Sequence, residues 1–147
     1  MRDLVMIFPN ILVVCVGNIC RSPMAEAFLR QSFPQKNVFS AGLEGLVGHS
    51  ADPIAVECMQ EEGIDISSHI ARRLSSEMLV RADLILAMST QQVQVIEERW
   101  GFSRGKVFRL CHWSDKNIPD PYRKGKSAFI LAKELIQEGV TDWSQHL

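Results

Sequence analysis

Four consecutive apolar residues, Ile11-Leu12-Val13-Val14, run directly into Cys15-Val16-Gly17, and the dipeptide Ser22-Pro23 follows a short way on. An apolar run without alternation belongs to a strand covered on both faces, as in a parallel sheet. Parallel strands cannot be joined by tight hairpins; they need crossover connections, usually helical. Ser22-Pro23 supplies the start of one, read as an N-cap followed by proline at the first helical position. Met24, Ala25, Ala27, Phe28 and Leu29 carry that helix toward Gln31. The segment reads as strand, tight loop, helix.

The same alternation recurs. Val38-Phe39-Ser40-Ala41 is a second strand, and Gly42 to Gly48 a glycine-bearing loop. Asp52-Pro53 opens a helix carrying Ile54, Ala55, Val56 and Met59, which Gly63 closes. Ser75 or Ser76 starts a short helical turn, and Leu84-Ile85-Leu86-Ala87-Met88 is another buried strand. Thr90 caps a helix with Val93, Val95 and Ile96 that ends near Trp100-Gly101. Lys106-Val107-Phe108-Arg109-Leu110 forms the fourth strand. A polar loop from His112 to Arg123 leads to a final helix from about Ser127 to Gln137. Strands alternating with helices predict an α/β domain: a doubly wound, four-stranded parallel sheet flanked by helices. Ligands on such sheets bind at the carboxyl ends of the strands, near a switch in strand order. The Cys15 loop lies at such an end. At 147 residues the expectation is a single domain, 1–147.

Charge and composition remove several classes. A formal net charge of -1 gives no basic face by count, so nucleic acid is not an expected partner. No stretch approaches the roughly 18 apolar residues that span a bilayer. Met1–Asn10 also lacks the charged start, apolar core and cleavage site of a secretory signal. A cytoplasmic protein without membrane insertion is expected. Its cysteines, Cys15, Cys20, Cys58 and Cys111, show no paired spacing, which argues against a disulfide framework or a closed zinc site. Histidines and carboxylates show no metal-ligand spacing either, so neither metal nor cofactor is expected. His49, His112 and His146 are read as surface residues.

The chemistry concentrates in Cys15-Val16-Gly17-Asn18-Ile19-Cys20-Arg21-Ser22. The segment ends at a helix N-terminus, where unpaired N–H groups and the positive end of the dipole favour an anion. Successive loop amides can wrap a phosphate, and Gly17 can take backbone angles other residues resist. Arg21 can set a planar fork on two phosphoryl oxygens, a contact lysine would not reproduce. A thiol in that field favours its thiolate. The thiolate can attack phosphorus in line and form a phosphocysteine while amides and Arg21 hold the equatorial oxygens. Ser22 can donate a hydrogen bond to the thiolate and later to the leaving sulfur. Cysteine and arginine at this spacing recur by chance. The strand before, the glycine inside and the Ser-Pro helix start after favour catalysis over a buried cysteine preceding a surface arginine. A phenolate leaving group also needs a proton. Asp120 lies in a loop stiffened by Pro119 and Pro121, but on the residues alone it is equally a turn aspartate.

The string Val14-Cys15-Val16-Gly17-Asn18-Ile19-Cys20-Arg21-Ser22-Pro23 resembles the signature loop of the low-molecular-weight protein tyrosine phosphatases. The resemblance continues over nearly the whole chain, through Ser40-Ala41-Gly42, Ser68-His69-Ile70-Ala71-Arg72 and Asp120-Pro121-Tyr122. The run Ile118 to Lys124 looks like the bacterial branch that acts on tyrosine kinases of capsule and exopolysaccharide export. The resemblance implies Cys15, Arg21 and Asp120 as catalytic residues, Asp120 serving first as general acid and then as base. It implies a phosphate loop of Val16, Gly17, Asn18, Ile19, Cys20 and Ser22, a pocket wall at Tyr122, and support from Asn18, Ser40 and His69. The Leu43–Leu46 loop covers the region of another wall. Cys20 is either a partner for a reversible disulfide with Cys15 or a small buried residue. Two departures stand out: Arg123 replaces the second aromatic of eukaryotic relatives, and Ser89 stands where many relatives carry an acid.

The implied substrate and partner is a phosphotyrosine protein, a membrane tyrosine kinase of polysaccharide export, met by a monomeric enzyme. Two other functions compete. An arsenate reductase shares fold and loop but relays electrons through further cysteines, and Ala87-Met88-Ser89-Thr90 offers none. A non-catalytic phosphotyrosine-binding module would have no use for both Cys15 and Asp120.

Overall fold

The computed structural model describes residues 8–147. Most of the segment inspected above for a secretory signal lies outside the described residues. Helices and strands alternate as β1 (Asn10–Cys15), α1 (Arg21–Ser32), β2 (Asn37–Gly42), α2 (Pro53–Gln60), α3 (Ser76–Arg81), β3 (Leu84–Ala87), α4 (Thr90–Arg99), β4 (Val107–Arg109) and α5 (Lys126–Ser144). The four strands make one all-parallel sheet in the order β2-β1-β3-β4. The doubly wound α/β architecture is as expected.

The unalternating run in β1 has a direct physical cause. Ile11 and Val13 pack into one core with Met24 and Phe28 of α1, Met59 of α2 and Phe129 of α5. Leu12 and Val14 pack into the other with Leu79 of α3 and Ile96 of α4. All four strand residues are fully buried, each contributing on the order of 2 kcal/mol by leaving water. Because β2 lies on one side of β1 and β3 on the other, the strand order reverses at β1. The loop leaving its carboxyl end is therefore the switch point where such sheets bind ligands.

Several boundaries differ from the sequence reading. α1 is preceded by Cys20 as N-cap, with no side-chain cap, and Ser22 lies inside its first turn. The Ser22 hydroxyl is taken by Asn18 and Cys15, so it is not free to cap. α4 is capped by Ser89, whose Oγ accepts from Gln92 N at 3.3 Å, instead of by Thr90. Serine is a preferred N-cap residue, which gives Ser89 a structural role here. α5 continues seven residues past Gln137 to Ser144. Gly139 does not end it: a Cβ there would lie 2.8 Å from Leu110 O, so glycine is the residue that lets the helix lie against that chain. Trp143 then anchors the last turn, buried and donating from Nε1 to Arg109 O at 3.3 Å. Among the described residues no helix is long and apolar enough to cross a membrane.

Candidate active site

β1 delivers Cys15 at its last position, and the chain loops through residues 16–20 before α1 begins at Arg21. The loop keeps its shape through Asn18, which is fully buried and holds a left-handed φ of 61°. Every polar group of Asn18 named here is engaged. Its Oδ1 accepts from Arg72 N at 2.9 Å, which fixes Nδ2 as the donor end of the amide. Nδ2 donates to Ser22 Oγ at 2.7 Å and to Ser40 Oγ at 3.0 Å. The backbone carbonyl accepts from His69 Nε2 at 2.7 Å, so that ring nitrogen carries the hydrogen. The backbone N–H of Asn18 donates to Cys15 Sγ at 3.3 Å.

This arrangement sets the direction of the next bond. Ser22 Oγ receives the Asn18 amide, leaving its own hydrogen for Cys15 Sγ, 3.0 Å away. The sulfur thus faces two donors, a hydroxyl and an amide. No acidic residue sits in the first turn of α1 and no side chain caps it, so its amides are open to an anion.

The glycine that the loop needs is not the one singled out by sequence. Gly17 does not take a positive φ, and a Cβ there would make ordinary contact with Leu46 at 3.6 Å. The left-handed position belongs to Asn18, whose saturated side chain holds it there. Gly42, at the end of β2 beside Cys15, is the close approach: a Cβ would fall 2.6 Å from Val16 O and 3.0 Å from Asn18 N. The segment after Gly42 is sewn to the loop from outside. Leu43 N donates to Cys15 O at 2.9 Å, Glu44 N and Gly45 N to Val16 O at 3.1 Å, and Leu46 N to Gly17 O at 3.0 Å.

Arg21 is 5% exposed and donates from Nη1 to Ile118 O at 2.8 Å. Its Nη2 lies 3.7 Å from Asp120 Oδ2, and its buried Nε has no hydrogen-bond partner among the described residues. Asp120 Oδ1 accepts from Tyr122 N at 3.1 Å, so the loop after β4 offers carboxylate and ring together. Cys15, Cys20 and Arg21 line a cavity of about 200 Å3 with Val16, Ile19 and Leu46 as apolar wall and Glu44, Asp120 and Tyr122 at its mouth. Val16, Gly17, Ile19, Cys20, Tyr122 and, of the Leu43–Leu46 loop, Glu44, Gly45 and Leu46 all meet there. Asn18, Ser22, Ser40 and His69 stand behind it. Glu44, Gly42, Arg72 and the Ile118 carbonyl were not singled out from sequence. Gly42 sat in a matched motif without a role, and backbone donors and acceptors leave no residue-type signal. A larger groove of about 480 Å3 lies on the outer side of α1, lined partly by Ser40, His69 and Arg72 but by no thiol. The smaller cavity is the one that holds Cys15 together with Arg21 and Asp120.

The family model for low molecular weight phosphotyrosine protein phosphatases matches residues 10–147. This chain belongs to that family. A low molecular weight protein-tyrosine-phosphatase, Ptp of Acinetobacter johnsonii, is 54% identical over 95% of this chain and 99% of its own length. Wzb of Vibrio vulnificus, solved in complex with benzylphosphonate, superimposes with a TM-score of 0.92 at 39% identity, covering 95% of this chain and 99% of its own. The YwlE arginine phosphatase of Geobacillus stearothermophilus shares the fold at TM-score 0.87 and 30% identity, covering 93% of this chain and 91% of its own. The chain is a low molecular weight protein-tyrosine phosphatase of Wzb type, a hydrolase.

Within this phosphatase the remaining thiols are buried. Burial, with a smaller contribution from Asp52, pushes the Cys20 thiol far above the usual cysteine range. Burial likewise raises Cys58, and raises Cys111 to about 11. Cys20 is buried and also lines the cavity beside Cys15, whereas neither Cys58 nor Cys111 does.

Proposed function

We infer that this phosphatase hydrolyses phosphotyrosine through a phosphocysteine on Cys15, in a single domain. The observation that carries the reading is the sulfur itself: it lines the cavity while Ser22 Oγ and Asn18 N–H are both directed at it. In the first step the thiolate attacks phosphorus, the P–O bond to the tyrosine oxygen breaks, and Asp120 gives that oxygen its proton. Loop amides and Arg21, with its unpartnered Nε among them, hold the three equatorial oxygens as charge shifts. The incoming phosphate takes the place of Asp120 beside the guanidinium and frees the carboxyl to reach the leaving group. In the second step Asp120, now a carboxylate, takes a proton from water. That water attacks phosphorus, the S–P bond breaks, and inorganic phosphate leaves with the thiolate restored. The Ser22 hydroxyl stabilises the departing sulfur. Val16, Ile19, Leu46 and Tyr122 offer apolar walls suited to an aromatic ring, which supports tyrosine over the guanidinium of phosphoarginine. Ser40, His69 and Asn18 act as positioning residues.

By its likeness to Wzb, the partner is a membrane tyrosine kinase of polysaccharide export, met in the cytoplasm by a monomeric phosphatase without metal or cofactor. The test is hydrolysis of p-nitrophenyl phosphate in the presence of chelator by the wild type, C15S and D120N. Activity should resist chelator, vanish in C15S and fall strongly in D120N. Phosphotyrosine peptides should be turned over well ahead of phosphoarginine peptides. Binding of phosphate esters without turnover by the reduced wild type would overturn the reading in favour of a binding module.

A further inference from the structure

The turn that carries Tyr122 also carries an arginine in an unfavourable backbone position. Lys124 N donates to Pro121 O at 3.0 Å, closing a β-turn whose third residue, Arg123, has a φ of 61°. Glycine or asparagine is the easy residue there. A non-glycine side chain held at such a position marks a candidate functional residue. The Arg123 guanidinium lies 5.1 Å from the centroid of the Tyr122 ring, is exposed, and has no carboxylate partner among the described residues. Tyr122 lines the cavity and Arg123 does not, so the cation stands outside the wall that Tyr122 forms. Two carboxylates share the mouth: Asp120, beside Arg21, and Glu44 in the segment after β2. The rim is therefore polarised: among the described residues neither Arg123, beyond Tyr122, nor Glu44 has an ion-pair partner.

The geometry points to Arg123 as a specificity-determining residue that binds an acidic side chain of the substrate about two residues from the phosphotyrosine. The inference rests on the phosphotyrosine reading proposed above and adds what lies beside the phosphorylated residue. A substrate ring packed on Tyr122 sits with its centroid about 4.5–7 Å from that ring. The guanidinium, 5.1 Å beyond Tyr122, is then roughly 10–12 Å from the substrate ring. An extended peptide advances about 3.3 Å per residue and returns to the same face every second residue. An aspartate or glutamate two positions away covers the remaining distance with its own side chain. The same acid on the other flank would approach Glu44, so the preference should be one-sided.

The test uses four phosphotyrosine peptides with glutamate or glutamine two residues before or two residues after the phosphotyrosine. The quantity read is the ratio of kcat/KM for the glutamate and glutamine peptides at low salt, within each of wild type, R123Q and R123K. For the wild type the ratio should be about 2–5 on one flank only, as expected for an exposed ion pair. It should shrink with added salt, fall to one in R123Q and recover in part in R123K. Wild-type ratios of one on both flanks, or an R123Q ratio equal to the wild type's, would overturn the inference while leaving phosphotyrosine hydrolysis intact. Absence of turnover of all four peptides by the wild type would overturn both readings.

Discussion

Replacing Gly42 with alanine places one methyl group against the outside of the phosphate loop. The new carbon would stand 2.6 Å from Val16 O, 2.9 Å from Gly17 C and 3.0 Å from Asn18 N, all backbone atoms. No flexible side-chain end can swing aside, so the loop or the end of β2 has to retreat. Reaching an ordinary contact of about 3.4 Å requires a shift of roughly 0.8 Å. Overpacking of this size costs about 1–3 kcal/mol of stability. For a chain of this length that is a drop in Tm of about 3–10 °C. The effect on catalysis should be larger, because the displaced atoms belong to the loop that the proposed mechanism wraps around phosphate. Asn18 N–H is also one of the two donors to Cys15 Sγ. Misplacement near 1 Å costs about 100-fold in rate, and loss of one oxyanion donor about 100- to 1,000-fold. Steady-state hydrolysis of p-nitrophenyl phosphate, with Tm measured on the same samples, should give a kcat reduced by about 100-fold in a protein that remains folded at the assay temperature. A Gly42→Ala variant within twofold of wild-type kcat would refute the claim that this contact sets the loop.

Other substitutions test other parts of the account. Ser22→Ala removes the hydroxyl directed at Cys15 Sγ and leaves Asn18 Nδ2 with Ser40 alone; kcat should fall about 10- to 100-fold, and an unchanged kcat would remove Ser22 from the relay. Gly139→Ala favours a helix by propensity but would set a Cβ 2.8 Å from Leu110 O, so Tm should fall; a rise would show that α5 can shift freely. Hydrogen bonding and attraction from Lys133 hold the Glu62 carboxyl below the usual glutamate range. A carboxyl depressed by folding stabilises the native state above its unfolded value, about 4.3, and loses that contribution as pH falls through the folded one. The Tm difference between wild type and Glu62→Gln should therefore be full at neutral pH and close on acidification; a gap constant down to acid unfolding would contradict the assignment.

Much of the fold was legible because burial on both faces writes itself into composition. Ile11 to Val14 and Leu84 to Ala87 read as parallel strands without help from any neighbour, and the structure pairs them. Terminal positions were less legible because one residue type serves competing purposes. Ser22 looks like a cap but gives its hydroxyl to sulfur, and the last helix runs on past Gln137 through Gly139, where the missing Cβ lets it lie against Leu110. The same ambiguity misplaced the essential glycine of the loop: Gly17 sits in the motif, whereas the steric demand falls on Gly42 from the neighbouring strand. Apart from Glu44, the side chains gathered in the cavity were expected from the motif and its family resemblance. Of what they lean on, Asn18, Ser40 and His69 were expected too, but Arg72 N, Ile118 O and the amides of Leu43 to Leu46 were not, because they act through backbone atoms that every residue possesses.

The central claim is a covalent bond between phosphorus and Cys15 Sγ. It is tested most directly by acid-quenching the Asp120→Asn variant during turnover of a phosphotyrosine peptide and mapping the phosphoryl group by mass spectrometry. Neither step then has its proton carrier, but the first can still proceed with an activated leaving group such as p-nitrophenolate, so that ester is run in parallel. The account predicts one phosphoryl group on the peptide containing Cys15, absent in the Cys15→Ser, Asp120→Asn double variant. Steady turnover by the wild type with no phosphocysteine in either quench, or with the phosphoryl group on another residue, would contradict it.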